Sequence, residues 1–465
     1  MITNRVKGLV KRNAEAEAAL RVRILDGLHT GDVVDELEAE LGSRAREIGK
    51  IDLSRNVLDS YVDRRGRAYR VPAAVSGLGE VLSGAVGDAS AASTVARYAK
   101  IKARPMPTAM QDACADALRY RLGANWCGVA VGWSGRSKRP FLEVIPPDDL
   151  EVTYASDDPL SPTVIRWRRA SLFDGSTIYD VSDLTDLDRP SYRVERDGKD
   201  ITGDVADGED LTGENYWWRY DGGRPFHRIV ISGNPRKPYL NLALVEGTLR
   251  LCTGYTSWWA AMRDAGFPRT HAVGLELEGS DTVDGTQGQA SGPEIVHRWR
   301  HINQDRPGVL IQHGPGFDPE AIARALRSYE LGQLAASGLP VNFEATGGEP
   351  TESEARELAE AIQATYPACR GQDTLLLRRL AAVTNRSGEA MEAAGEARPF
   401  PPIPEGGYGV LYREEIAEAF ALVEGEDTNN KERKDGNDQG TDGGSDSRGA
   451  RGDQGGDAEG AKAAR

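Results

Sequence analysis

His297 and His301 stand four residues apart in the run HRWRH, a spacing that would put two imidazoles on one face of a helix. This is the nearest the sequence comes to a metal site. Two nitrogens fall short of the four ligands of a structural zinc, no carboxylate lies between them, and Arg298 and Arg300 add positive charge where a cation would sit. The plainer reading is a solvated basic face, and its sharper form is a surface that touches a partner. The tryptophan pairs 217–218 and 258–259 suggest a second chemistry, a sugar cleft in which two carboxylates about 5 to 10 Å apart would cleave a glycosidic bond. Adjacent tryptophans usually serve packing, and nothing in the sequence pairs two acids. Cys114, Cys127, Cys252 and Cys369 are far apart with no CxxC pair, which argues against a disulfide framework or a zinc site and for reduced, buried thiols. The sequence has no GxxxxGKS or GxxxxGKT, no GxSxG and no HExxH. No catalytic, metal or cofactor site is expected, and the Arg451-Gly452-Asp453 triplet follows from biased composition.

Composition bounds the rest. A chain of 465 residues, 39% hydrophobic and 28% charged, can bury one large core or those of two to three ordinary domains. Its net charge of −15, from 57 basic and 72 acidic residues, argues against a surface that grips nucleic acid throughout, although a local basic patch remains compatible. The N-terminus has Lys and Arg but no apolar signal core, and no run approaches the roughly 20 apolar residues of a membrane span. A soluble protein assembled in a cytosol is expected.

The elements that would position any site read as follows. Residues 1–50 form a helical arm, with Val34, Leu37 and Leu41 at helical spacing and a stop at Gly42. A helix capped by Ser54 carries Val57, Leu58, Tyr61 and Val62 and ends at Gly66, before an extended run into Pro72. Thr108 caps a helix with Met110, Cys114, Leu118 and Leu122, stopped by Gly123. The period then changes to two in 127–133, 141–145, 164–168, 191–196 and 226–231, read as one antiparallel sheet on the earlier helices, with a hairpin turn at Asp197-Gly198. A helix from Tyr239 to Ala265 aligns Val245, Leu249, Cys252, Trp259 and Met262 on one stripe. Gly247 and Gly254 inside it imply close packing against a similar element. Short strands around a polar insert occupy 270–316.

Asp318 with Pro319 starts another helix, faced by Ile322, Leu326 and Tyr329. Beyond its end lies SGLPVNFEATGGEP, and then Thr351 and Glu354 form a capping box for a helix carrying Leu358 and Ile362. After Glu424 the chain lacks aromatics and large aliphatics and reads as a disordered tail.

The order of these parts resembles a tailed-bacteriophage portal protein of the siphophage type. The segments NVLDSYVDRRGRAYRVP, ADALRYRLGANWCGVAVGW, FLEVIPPDDLEVTYASDDP and VIRWRR look like the family's wing. NPRKPYLNLALVEGTLRLCTGYTSWWAAMRDAGFPR looks like its first stem helix, and DPEAIARALRSYELGQLAASGLPVNFE like its second stem helix running into the tunnel loop. The resemblance covers roughly residues 50 to 400. It implies an α+β portal fold: N-terminal arm 1–50, wing 51–237, first stem helix 238–269, small α/β clip 270–316 and second stem helix 317–337. A tunnel loop at 338–350, wing and crown helices at 351–400, a crown at 401–424 and the tail 425–465 complete it.

The function implied is a ring, typically dodecameric, at one capsid vertex of the virion, through which double-stranded DNA is packaged and ejected without sequence-specific binding. Its partners would be the major capsid protein, the large subunit of terminase, a head–tail adaptor and a scaffold protein. Ser337, Gly338, Leu339, Pro340, Val341, Asn342 and Phe343 would belong to the tunnel loop. His297, Arg298, Arg300 and His301 would dock partners at the clip, and the Val245, Leu249, Cys252, Trp259, Met262 stripe would pack the stem. The alternatives are a carbohydrate-active enzyme or another virion subunit, capsid or adaptor.

Overall fold

Each change of apolar period along the chain marks a change of element. The structure, a computed structural model, describes residues 14–27, 37–38, 41, 51–87, 90–156, 158, 161–171, 177–202, 219–220, 224–235, 241–266, 270–273, 275–277, 287–290, 299–301, 309–312, 318–339 and 351–423. The N-terminal part contains helices α1 (Ala14–Gly27), α2 (Val57–Arg65), α3 (Glu80–Val86), α4 (Ala92–Ala99) and α5 (Thr108–Gly123), with short strands β1 (Ala74–Ser76) and β2 (Arg104–Pro105). Leu20, Ile24 and Leu25 of α1 are buried against α2, so this part of the expected arm belongs to the core. Val34 and Gly42 lie outside the described residues.

Three boundaries differ from the sequence reading. Asn56, not Ser54, caps α2: its side chain accepts from Asp59 N at 2.9 Å, while Ser54 N is taken by the Asp52 carboxylate at 2.9 Å. After Gly66 the chain tightens into a 3-10 turn, Gly66–Tyr69, which buries Tyr69, and becomes extended only at Ala74. Likewise Pro107 holds the cap position of α5, and Thr108 is its first helical residue. Met110, Cys114 and Leu118 line the buried face of α5 as the spacing requires, and all four cysteines are free and buried.

The β region is two sheets, not one. Its strands are β3 (Trp126–Ser134), β4 (Arg139–Ile145), β5 (Leu150–Tyr154), β6 (Pro162–Ser171), β7 (Thr177–Asp183), β8 (Ser191–Arg196), β9 (Lys199–Asp200), β10 (Arg219–Tyr220), β11 (Arg224–Pro225) and β12 (Ile229–Gly233). One antiparallel sheet runs β12-β3-β4 and the other β5-β6-β7-β8-β9, with β10-β11 a small ribbon. The reason lies in β3, which is buried on both faces from Trp126 to Gly132. Cys127, Val129 and Val131 face the helical core, whereas Trp126 and Ala130 meet Ile165 and Trp167 of the five-stranded sheet. A strand covered on both sides reads as a continuous apolar run, so its sequence does not announce a second layer. The outer face of the larger sheet is neutralised across strands: Arg166 pairs with Glu151 at 2.9 Å and with Glu195 at 3.3 Å, and Arg193 pairs with Glu195 at 2.7 Å. Asp197 (φ 49°) and Gly198 (φ 76°) make the expected turn into β9.

The remaining elements are α6 (Leu242–Gly266), strands β13 (Thr270–Val273), β14 (Leu275–Leu277), β15 (Gln287–Ala290), β16 (Trp299–His301) and β17 (Val309–Gln312), α7 (Pro319–Ala336), α8 (Glu352–Gln363), α9 (Tyr366–Ala393), β18 (Gly409–Leu411) and helix α10 at 413–423. β13 lies between β15 and β17, and β14 pairs with β16. Among the described residues the 270–316 region is therefore strands alone. β18 returns to pair antiparallel with β1, Ala74 opposite Leu411, which ties residues 409–411 of the expected crown to the N-terminal part of the expected wing. The chain divides into two compact units, Met1–Ile416 and Ala417–Arg465, and the expected tail after Glu424 lies outside the described residues. Among the described residues no helix is long and apolar enough to cross a membrane.

His227 fastens one sheet to the other. Its Nε2 lies 3.0 Å from the Pro162 carbonyl oxygen, which can only accept, so Nε2 carries the proton and Nδ1 accepts from the Ser182 hydroxyl at 2.8 Å. Burial pushes the imidazole pKa down from 6.5 to about 4. Between those values the unfolded chain binds the extra proton, so stability is full above the upper value and is lost as pH falls towards the lower one, by about 3 kcal/mol. Denaturant titrations at pH 4.5 and pH 7 should show most of this loss as the difference between the native sequence and His227→Gln.

Candidate functional site

The hairpin of the two stem candidates is built from the packing of α6 on α7. A Cβ on Gly254 would lie 2.6 Å from Leu326 Cδ2, and one on Gly247 would lie 3.1 Å from Gln333 Oε1. As one number rises by seven the other falls by seven, so the helices are antiparallel and touch where α6 has no side chain. This is the close packing that the interior glycines imply. The Trp258 indole N–H donates to the Pro319 carbonyl at 3.0 Å and closes the hairpin near the start of α7.

The stripe on α6 divides along its length. Val245, Leu249 and Cys252 are buried in a core shared with α1 and α2, whereas Trp259 (57% exposed) and Met262 (36%) are open, as is Ile322 (36%) on the facing part of α7. Thr248, Cys252 and Thr256, four apart on the buried side, meet the backbone that leads into α2. Thr248 Oγ1 accepts from Leu58 N at 3.1 Å, the Cys252 thiol reaches the Arg55 carbonyl oxygen at 3.5 Å, and Thr256 Oγ1 accepts from Asp52 N at 2.8 Å. The first of these bonds satisfies an amide in the first turn of α2 that would otherwise be buried without an acceptor. At its other end, Asn241 next to α6 donates to the Leu122 carbonyl at 3.0 Å and Arg21 donates to that of Gly123 at 3.1 Å, which caps the C-terminus of α5.

Both ends of the segment 340–350 are fixed. At the end of α7, Gly338 takes the left-handed conformation (φ 78°), its N–H donates to Ala335 O at 2.9 Å, and Leu339 N donates to Leu334 O at 3.2 Å. This pair of bonds is a complete Schellman stop, and its hydrophobic partners, Leu334 and Leu339, are both buried. At the start of α8, Thr351 Oγ1 accepts from Glu354 N at 3.3 Å while Glu354 accepts from Thr351 N at 2.9 Å, the predicted capping box. Both helices pack on α2. Of the tunnel-loop candidates, Ser337 and Gly338 thus form the stop, Leu339 is a buried anchor and not a surface group, and Pro340, Val341, Asn342 and Phe343 lie outside the described residues.

The clip candidates fare differently. Arg300 and His301 lie in strand β16, which pairs with β14, so the helical spacing assumed for the two histidines does not hold. His297 and Arg298 lie outside the described residues. Among the described residues no group of three or more His, Cys, Asp or Glu is placed to hold a metal. A groove of about 770 Å³ runs between α2 and α5, lined by Asp59, Asp63, Asp116, Arg67, Arg70 and Arg119 with the Tyr69 ring, and contains no tryptophan. Arg67 is engaged by Asp63 at 3.0 Å and Arg119 by Asp59 at 3.2 Å.

Sequence reasoning missed three features. The Gly-then-Leu end of α7 carries the Schellman signature and was legible. The outward stripe of α7, Ala321, Ala325, Ser328, Gly332 and Ala335, is all small and exposed, and its steps of four and three were equally readable. The burial of Leu339 follows from tertiary packing alone. Neither the scan against protein-family models nor the search of curated proteins found a match to this chain.

Gly338→Ala forces a Cβ into the left-handed region and should cost about 1 kcal/mol, and Thr351→Ala should cost a similar amount by removing the cap. Urea denaturation of each variant and of the pair checks this. Because the two stops are separate, their effects should add.

Proposed function

We propose that this chain is a subunit of a tailed-phage portal ring, a non-enzymatic conduit for double-stranded DNA at one capsid vertex. The observation that carries the reading is the antiparallel hairpin of α6 and α7, whose second helix ends in a rigid stop that holds one end of the 340–350 segment, with a rigid start for α8 at the other. Such an arrangement presents a short segment from two fixed points, as a channel-lining loop requires. The ring would be dodecameric and would dock the large terminase subunit during packaging and a head–tail adaptor afterwards, with capsid and scaffold proteins around it.

Two further features support assembly through the hairpin. Trp259, Met262 and Ile322 leave apolar area open to solvent that a neighbouring subunit would cover. On α7, Gly332 sits inside a helix with nothing within 4 Å of a Cβ added there, although an interior glycine costs about 1 kcal/mol relative to alanine. A closely approaching helix of a second copy accounts for that cost. A carbohydrate-active enzyme gains no support from the described residues, since Trp258 is spent on hydrogen bonding within the hairpin and the groove contains no tryptophan.

The test separates folding from assembly. Gly332→Leu should leave the thermal midpoint of the monomer unchanged or slightly raised and abolish rings in negative-stain micrographs and light scattering, whereas Gly254→Leu should destabilise the monomer itself. Rings of normal mass from Gly332→Leu would remove α7 from the interface. Trp259→Asp should likewise leave monomers or aggregates. Deleting residues 341–348 should spare ring assembly and impair DNA packaging or retention, and normal packaging by that variant would refute the loop's role.

A further inference from the structure

Asp373 lies in the second turn of α9 and is fully buried. The elements around it present neutral donors. The Tyr69 hydroxyl from the 3-10 turn lies 2.8 Å from both carboxylate oxygens, and the Tyr412 hydroxyl, just after β18, lies 2.8 Å from Oδ2. The Cys114 thiol from α5 donates as well, and Cys369 stands one turn earlier on α9. The positive charge felt at the site is that of Arg121, and it counts for less than the hydrogen bonds. A carboxylate taken out of water without a cation beside it is costly as an anion. Burial accordingly raises its pKa to about 6.

Tyr412 differs from the other donors in its support. All three donors lie in the main core, which also takes in Ile403, Tyr408 and Val410 of the segment that carries Tyr412. Tyr412 belongs to a strap that returns along α9, attached by Asn385 to both backbone groups of Ile403 (2.7 and 2.8 Å), by Arg370 to the Val410 carbonyl (3.0 Å), and by the three-residue pairing of β18 with β1. The Tyr412 ring stacks on Tyr366 at 4.6 Å, its N–H donates to Glu415 at 3.0 Å, and Tyr366 donates to Glu414. Opening of the strap, which would carry Ile403, Tyr408, Val410 and Tyr412 out of that core, would bring water to the carboxylate.

We propose that Asp373 and Tyr412 form a proton-controlled latch, in which ionisation of Asp373 favours release of the strap 403–412 and protonation favours its closure. The sign follows from linkage. The closed state holds the proton up to about pH 6, whereas an open, hydrated carboxyl gives it up near its ordinary value of 3.8. The opening constant therefore rises with pH between those limits, by about a hundredfold, and levels off above them. The latch sits where β1 and β18 join, and it does not depend on the portal reading.

Amide hydrogen exchange of the full chain from pH 4 to pH 7.5, corrected for intrinsic exchange and with β3 and β4 as internal reference, tests the latch. Protection of 403–412 should fall by about a hundredfold over this range while the reference stays level. A strap whose slope is no steeper than the reference overturns the proposal. Asp373→Asn should abolish the slope. Should that variant fail to fold, Tyr412→Phe keeps the ring, removes one donor, and should move the midpoint to higher pH; an unmoved midpoint would refute the role of Tyr412.

Discussion

Two missing side chains, at Gly247 and Gly254, set the separation of α6 and α7, and most of the structure around the candidate site follows from that contact. Because the helices touch there, Trp258 reaches the start of α7, Leu334 and Leu339 reach the core under α2, and the far end of α6 is left with Trp259 and Met262 uncovered. A wider spacing would fill the seam with side chains but lift Leu339 out of its pocket, and the stop at Gly338 would then lack its apolar anchor. The cost of two interior glycines is thus offset by burial several turns away.

Local chemistry made some of this legible and hid the rest. The capping box at Thr351, the Asp318-Pro319 start, the Asp197-Gly198 turn and the significance of the α6 glycines all rest on interactions within a few residues, or on a cost that one residue type incurs alone, and the structure bears them out. The choice of Ser54 over Asn56 failed because both can cap and a distant contact favours Asn56, whose amide donates to the Ile24 carbonyl at 2.8 Å while its oxygen accepts from Asp59 N. The division of the β region into two sheets was hidden because β3 is apolar on both faces. The helical reading of HRWRH failed because pairing with β14, a distant partner, governs that segment. Nothing local to residue 339 distinguishes an anchor from the first residue of a loop.

Two buried titratable groups pull in opposite directions over one range of pH. His227 favours the folded chain as protons leave, and Asp373 favours it as they bind. Each is fastened by neutral partners, a carbonyl and a hydroxyl for the imidazole, hydroxyls and a thiol for the carboxyl. They lie in different cores, the first between the sheets and the second between α9 and the 3-10 turn. Acidity therefore redistributes stability between regions of the larger unit and does not simply raise or lower it.

The paired stops around the 340–350 segment have a consequence for how this chain can vary. A connection whose ends are fixed by helix-end hydrogen bonds contributes to stability through its closure entropy, and that term grows only logarithmically, by about 0.6 kcal/mol for each doubling of length. Residues can then be added to or removed from the middle at little thermodynamic cost so long as Gly338, Leu339, Thr351 and Glu354 remain. The fold thereby leaves the length and chemistry of that segment open to selection on what it touches, and the two helix ends bear the demands of stability.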